Sequence, residues 1–401
     1  MSGSWHVHLA GGQKVAWALD EDIAWVRRSL DDRCRWTSLP LARIVHAAWP
    51  AAVSAIPADA LRGKFVVCQA DNPPAFYVGT EGFDQVSKHV DLWIARSQEA
   101  EEQFGWLGLP VVRVPYCVDP DIFRPLASRT EIRQSLGLDD VAFVIGNFHR
   151  DSEGADLGKP KLQKGPDIFF EIARSLRGKI PGLTVLLAGP RRHWLLNSLR
   201  AEGIPVVFAG EEWGAADDYP RNILSRSRLN ELYQTLDACV ISSRWEGGPY
   251  SVLEALASGC LVISSPVGTA RDVLPDECLF NSVDAAVGLL KRAARSNELR
   301  KVCALAAANT AVTHNPSAVA RALQSAYADL PKGAPGMVDT FASLFHSVSG
   351  QVTTNRTVDM KNSGIRISAP ALSGQCLDSR NCRSREDLLS LASKITELRR
   401  S

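Results

Sequence analysis

Two glutamates eight positions apart, Glu246 and Glu254, bracket the run Gly247-Gly248-Pro249-Tyr250-Ser251. A carboxylate can accept two hydrogen bonds from a vicinal diol such as a ribose. Glycines beside a helix start leave backbone N–H groups open to an anion. The combination suits a molecule that carries phosphate, ribose and a second polyol. An isolated pair of glutamates would do no more than complement the dipole of a surface helix, so the neighbourhood has to decide. Upstream stand two cations, Arg150 in IGNFHR and Lys164 in KGPDIFFEIA.

The elements that must hold these groups are readable around them. Residues 238–242 (ACVIS) form an apolar run of strand length, and a polar turn follows at 244–248. Pro249 suits the first turn of a helix over 250–257, which Gly259 stops in the left-handed conformation. A second short strand, CLVIS at 260–264, leads through Pro266-Val267-Gly268 into another helix start. Two parallel strands, each feeding a helix through a glycine turn, form the edge of a doubly wound sheet. Ligands of such sheets sit at the carboxyl ends of the strands.

The same alternation runs through most of the chain. Strands are expected at 5–9 (WHVHL), 42–47, 64–69, 90–96 and 111–115, then at 142–147, 184–188 and 206–209. Helices over 283–294 and 297–309 close the pattern. This is the α/β class. Beyond about residue 331 the periodicity thins. The stretch 332–383 is rich in Ser, Gly, Asn and Thr and reads as loop. An amphipathic helix is expected over 384–400, with Ser384 as its cap.

Glu246 and Glu254, followed by ALASGC, an apolar strand and PVG, closely resemble the donor-site signature of retaining GT-B glycosyltransferases, above all the large family 4. The resemblance extends more weakly over residues 90–328. It implies two Rossmann-like doubly wound domains facing across a cleft, and transfer of a sugar from a nucleotide-sugar to an acceptor with retention. It also implies roles. Glu246 would contact the transferred sugar and Glu254 the ribose, while the 247–251 backbone would meet phosphate or sugar. Arg150 and Lys164 would hold the diphosphate, so that no metal is needed. Gly189 in LLAGPRRHW and Gly210 in FAGEEW resemble the turns that meet the nucleotide, and Gly268 would add an N–H donor.

Three departures from the family pattern stand out. Arg150 and Lys164 are fourteen positions apart, where the family keeps them much closer. The extra DSEGADLGKPKLQ reads as an inserted polar loop, which makes Lys159 and Lys161 rivals of Lys164. The segment PYCVDPDIFRP at 115–125 resembles the family's interdomain link but has Tyr116-Cys117 where Asn-Gly is usual. In the N-terminal half the family places a histidine after a strand, against the sugar. Here that strand end reads CQADNPP, with Asp71, Asn72 or Gln69 in its place. Asp71 is taken as the group facing the sugar, and His46 in RIVHAAWP is a second candidate.

Composition sets outer bounds. A chain of 401 residues with 45% hydrophobic content can bury two cores. The expected division is a short N-terminal acceptor domain at 1–126, a nucleotide-sugar domain at 127–331 and a tail at 332–401. With 45 basic and 44 acidic residues the net charge is +1, and no whole-chain field favours nucleic acid. No apolar run reaches the length of a membrane span, and the start lacks the pattern of a signal peptide. Peripheral membrane contact stays open. Nine cysteines show no metal-ligand spacing, which reads as reduced thiols in a cytoplasmic protein. Cys376 and Cys382 leave room for a disulfide in the tail. Expected partners are a nucleotide-sugar and a sugar, glycan or lipid-linked acceptor, with no cofactor and no metal. Two other readings compete: a catalytically silent homologue that binds nucleotide or glycan within an assembly, and an NAD-dependent oxidoreductase. The second lacks a GxGxxG turn after any expected strand.

Overall fold

The computed structural model describes residues 4–333, apart from 13–17, 79, 153–155, 213 and 215, and residues 382–400. The expected loop at 332–383 and Cys376 therefore fall almost wholly outside the described residues. The chain parts into two compact units. One contains the chain up to Pro115 together with 316–333 and the last helix; the other runs from Tyr116 to Asn315.

In the first unit, β1 (Trp5–Ala10), β2 (Cys34–Trp36), β3 (Ile44–Ala47), β4 (Phe65–Gln69), β5 (Leu92–Ala95) and β6 (Val111–Arg113) form one parallel sheet. The order is β2-β1-β3-β4-β5-β6. Strands β3 and β4 are short, apolar and sealed on both faces, as a parallel sheet covered by helices requires. The core gathers Val45, Val66, Trp93 and Phe104. Strand β2 was not expected, because CRW is half exposed and carries no apolar alternation.

The second unit holds β7 (Phe143–Asn147), β8 (Leu183–Ala188), β9 (Val206–Ala209), β10 (Ala238–Ile241) and β11 (Val262–Ser264). All pair in parallel, in the order β11-β10-β7-β8-β9. The expected edge pair is present as β10 and β11. The strand order reverses between β7 and β10, and a doubly wound sheet opens its binding crevice at such a reversal.

The helix Pro316–Tyr327 packs on the helix Ala18–Leu30. It thus belongs with the first sheet, whereas the expected boundaries put it in the second domain. The reason is a polar anchor: Tyr327 Oη lies 2.6 Å from Nδ1 of the buried His46. The terminal helix Arg385–Arg400 buries Leu388, Ala392 and Ile395 and packs against Pro74–Phe76 and the helix Gln98–Trp106. Its Ser384 cap is made as expected, with the Asp387 amide donating to Ser384 Oγ at 3.2 Å. Among the described residues no helix is long and apolar enough to cross a membrane.

Candidate functional site

The site in the second unit starts from two loops that glycine brings into contact. After β7 the chain passes His149 and Arg150, reaches the 3-10 turn Leu162–Lys164, and enters the helix Pro166–Leu176 through Gly165. Gly165 has φ +61°, and a Cβ there would overlap the Ser242 carbonyl oxygen. Only glycine fits. Ser242 Oγ donates to Gly165 O at 2.8 Å, and the Arg244 amide donates to Gln163 O at 2.8 Å. The Arg244 guanidinium grips Asp167 with both terminal nitrogens and donates to Leu162 O at 2.9 Å. The turn after β7 is therefore stitched to the loop after β10.

That stitching delivers Lys164 to Glu246. The ammonium donates to Glu246 Oε1, and Ser243 Oγ donates to the same oxygen at 2.9 Å. Glu246 is buried, while Lys164 keeps about a fifth of its side chain in solvent. The glutamate loop rests in turn on Gly268, whose φ is +45° and whose Cβ would press on the Glu246 and Gly247 carbonyl oxygens. Gly248 has the same constraint from Thr269 and the Tyr116 ring. Tyr116 also packs on Tyr250, with ring centroids 4.5 Å apart.

Pro249 caps the helix Tyr250–Ala257, and Gly259 stops it with φ +78°. Glu254 sits one turn in. Tyr233 Oη donates to its Oε2 at 3.2 Å, and Arg226 Nη2 lies 3.9 Å from Oε1. Burial, and then the Glu254 charge, push the Tyr233 phenol well above its usual range, so it stays a donor. Ser251, in the first turn, meets His149 Nε2. Burial, Lys164 and Arg192 hold His149 well below the usual imidazole range. The site thus offers a cation–carboxylate pair, a helix N-terminus and a second carboxylate one turn away. It can bind an anion next to a diol.

Residues 157–296 match the family model described as glycosyl transferases group 1. A lipopolysaccharide core biosynthesis mannosyltransferase, LpsB of Rhizobium meliloti (strain 1021), is 27% identical over 54% of this chain and 56% of its own length. A D-inositol 3-phosphate glycosyltransferase of Mycolicibacterium smegmatis is 26% identical over 62% of this chain and 50% of its own length. The chain therefore spans about half the length of the curated relatives it matches. Among solved structures, HepE of Anabaena in complex with UDP and glucose superposes with a TM-score of 0.64 at 13% identity, covering 82% of this chain and all of HepE. A sucrose-phosphate synthase of Thermosynechococcus elongatus reaches 0.56 at 16% identity, over 80% of this chain and 82% of its own. The fold is GT-B.

In the second unit, the insert after β7 separates its lysines clearly. Lys159 is exposed, and Lys161 is tied in through its backbone amide, which donates to Asp151 O at 2.7 Å. Lys164 is the one whose ammonium reaches Glu246. Arg150 lies partly exposed in the same loop, directly after His149. Gly189 (φ +85°) ends β8, and Gly210 follows β9 against Asn222 and Phe208. Beside them a polar cavity of about 840 Å³ is lined by Arg192, His193, Phe208, Glu211 and Asp218.

Asp71 lies in the other unit, after β4. It accepts from Tyr77 Oη and from Asn72 Nδ2 (3.0 Å), two partners in its own turn. His46 is sealed in that unit's core. Sequence reasoning missed His149, Ser243, Arg226 and Tyr233. His149 stood inside the quoted run IGNFHR, but nothing local marks a histidine whose partner lies 102 residues on.

Proposed function

We propose that this protein is a glycosyltransferase that moves a sugar from a nucleotide-sugar donor to a sugar, glycan or lipid-linked acceptor. The observation that carries the reading is the Lys164 ammonium seated on Glu246, beside the N-terminus of the helix that bears Glu254. A diphosphate at that helix end meets N–H groups and a fixed cation, and the ribose meets Glu254. Glu246 accepts from the sugar hydroxyls. As the sugar–oxygen bond breaks, negative charge grows on the departing diphosphate, where Lys164 and Arg150 offset it. Retention at the anomeric carbon is what the resemblance to family 4 implies, and no metal ion is needed because these cations already serve the leaving group. The names of the relatives support the reading: two act as glycosyltransferases by name, and HepE holds UDP and glucose. Buried free thiols, among them Cys68, Cys239, Cys260, Cys278 and Cys303, support action in the reducing cytoplasm.

A binding screen of UDP-, GDP- and ADP-sugars, followed by donor hydrolysis without acceptor, tests the proposal. Saturable binding of one donor and its slow hydrolysis are expected. Tight nucleotide binding with no turnover across many acceptors would instead identify a silent homologue.

A further inference from the structure

The imidazole of His149 closes on Ser251, with Nε2 within hydrogen-bond reach of Ser251 Oγ. A serine in a helix commonly donates to a carbonyl one turn back, as Ser258 does to Glu254 O at 2.7 Å. The Ser251 hydroxyl is held by His149 instead. The other ring nitrogen, Nδ1, is enclosed and has no hydrogen-bond partner. A buried N–H without an acceptor is the rarer kind of orphan. The single ring proton therefore belongs on Nε2, where Ser251 Oγ accepts it. Burial and the cations Lys164 and Arg192 oppose a second proton, so the ring is a neutral donor. With Oγ occupied as an acceptor, the hydroxyl hydrogen of Ser251 is left to donate elsewhere. It stands in the first turn of the helix Tyr250–Ala257, where an anion is favoured.

We propose that His149 is a positioning residue: by donating Nε2–H to Ser251 Oγ it commits the Ser251 hydroxyl proton to the diphosphate of the donor. This rests on the glycosyltransferase reading above and adds to it a residue that acts through another. No bond is made or broken by the pair; the hydroxyl is oriented before the leaving group gains charge.

The test titrates UDP, GDP and ADP, and the matching nucleosides, calorimetrically into wild type, Ser251→Ala, His149→Phe, His149→Gln and the Ser251→Ala/His149→Phe double variant. Ser251→Ala and His149→Phe should each weaken binding of the preferred diphosphate roughly tenfold to a hundredfold, as for loss of a hydrogen bond to a charged group. Nucleoside binding should stay unchanged. The double variant should bind no worse than Ser251→Ala, because the two residues act as one. His149→Gln, whose amide N–H can stand in for Nε2–H, should recover most of the loss. Equal losses for nucleoside and diphosphate, or losses that add, would show a packing role and overturn the proposal. Nitrogen NMR of the wild-type ring is independent of how the variants fold, and a proton found on Nδ1 overturns it too. Normal diphosphate binding by His149→Phe defeats this proposal alone, whereas a wild type that binds no nucleoside diphosphate defeats the donor reading as well.

Discussion

At the ends of β3, β4 and β5, His46, Gln69 and Arg96 close into a buried chain with Asp22 and Tyr327. Arg96 pairs with Asp22 at 3.4 Å and donates to Gln69 Oε1; Gln69 Nε2 donates to His46 Nε2 at 2.7 Å; His46 Nδ1 meets Tyr327 Oη. No side chain in the chain is more than 5% exposed. At the ends of β7 and β10, polar groups also gather, but Lys164 keeps 20% of its side chain in solvent and Ser251 has a hydroxyl proton to spare. Both sets occupy the carboxyl ends of a parallel sheet. A set sealed from solvent stabilises the fold; a set left open at one end can receive a ligand. Function is read from the open end, not from the number of polar residues.

The sealed chain should therefore fail as structure. Arg96→Ala leaves Asp22 buried without its cation, and breaking such a pair costs about 3–5 kcal/mol. Hydrogen exchange of the β3 and β4 amides should accelerate accordingly, with nucleotide binding by the folded protein unchanged. If Arg96→Ala instead leaves stability intact and abolishes binding, the buried chain serves the ligand and not the fold.

The open set should fail as chemistry. Lys164→Ala, and likewise Arg150→Ala, should lower turnover about 10²–10³-fold at saturating donor, as expected for an oriented group that matters most in the transition state. Lys159→Ala is a change in a solvated loop, worth about 0–1 kcal/mol. Steady-state rates for the three variants decide it. A crippled Lys159→Ala with a mild Lys164→Ala would move the diphosphate site onto the insert.

How far these roles could be read beforehand follows from how local their evidence is. Glu246, Gly248, Glu254 and Gly259 lie within one loop–helix unit, so their spacing alone fixed the strand, the helix and the stop. Lys164 announced itself through the Gly-Pro that follows it, although only the contact with Glu246 separates it from Lys159 and Lys161. His149, Arg226 and Tyr233 take their meaning from Ser251 and Glu254, and no local pattern encodes such pairings. The helix Pro316–Tyr327 showed the same limit at the level of the fold. Its amphipathic face demands burial but does not say against which sheet.

Glu254 sharpens the comparison from the binding side. Glu254→Ala should weaken nucleoside diphosphate binding by roughly 1.5–3 kcal/mol, the range for a charged hydrogen-bond acceptor. A 2′,3′-dideoxy nucleotide should bind wild type and variant about equally, because it offers no diol. Calorimetry with both ligands checks this. Wild-type affinity in a folded variant would leave Glu254 as a partner of Tyr233 and Arg226 only.

The smallest effect comes from His46 and separates the two regions by pH. The Gln69 amide is oriented by Arg96, which donates to its oxygen, so its nitrogen donates to His46 Nε2. The histidine proton therefore sits on Nδ1, toward Tyr327, and no lone pair remains for a second proton. Burial, and then the Arg96 charge, lower its pKa from 6.5 to about 3. The sign follows from linkage. Below pH 6.5 the unfolded chain takes up a proton that the folded unit refuses, so stability is full above that pH and is lost progressively down to about pH 3. By pH 5.5 the loss from this one group amounts to about 1.4 kcal/mol. Hydrogen exchange of the β3 and β4 amides at pH 7.0 and 5.5 should show this acid destabilisation in wild type. It should be reduced by about 1.3 kcal/mol, since about 0.2 is already lost at pH 7.0, in His46→Gln, which is less stable at both values but has nothing there to titrate. Identical pH dependence in the two proteins would mean that His46 takes its proton in the fold, and that the chain around it is open after all.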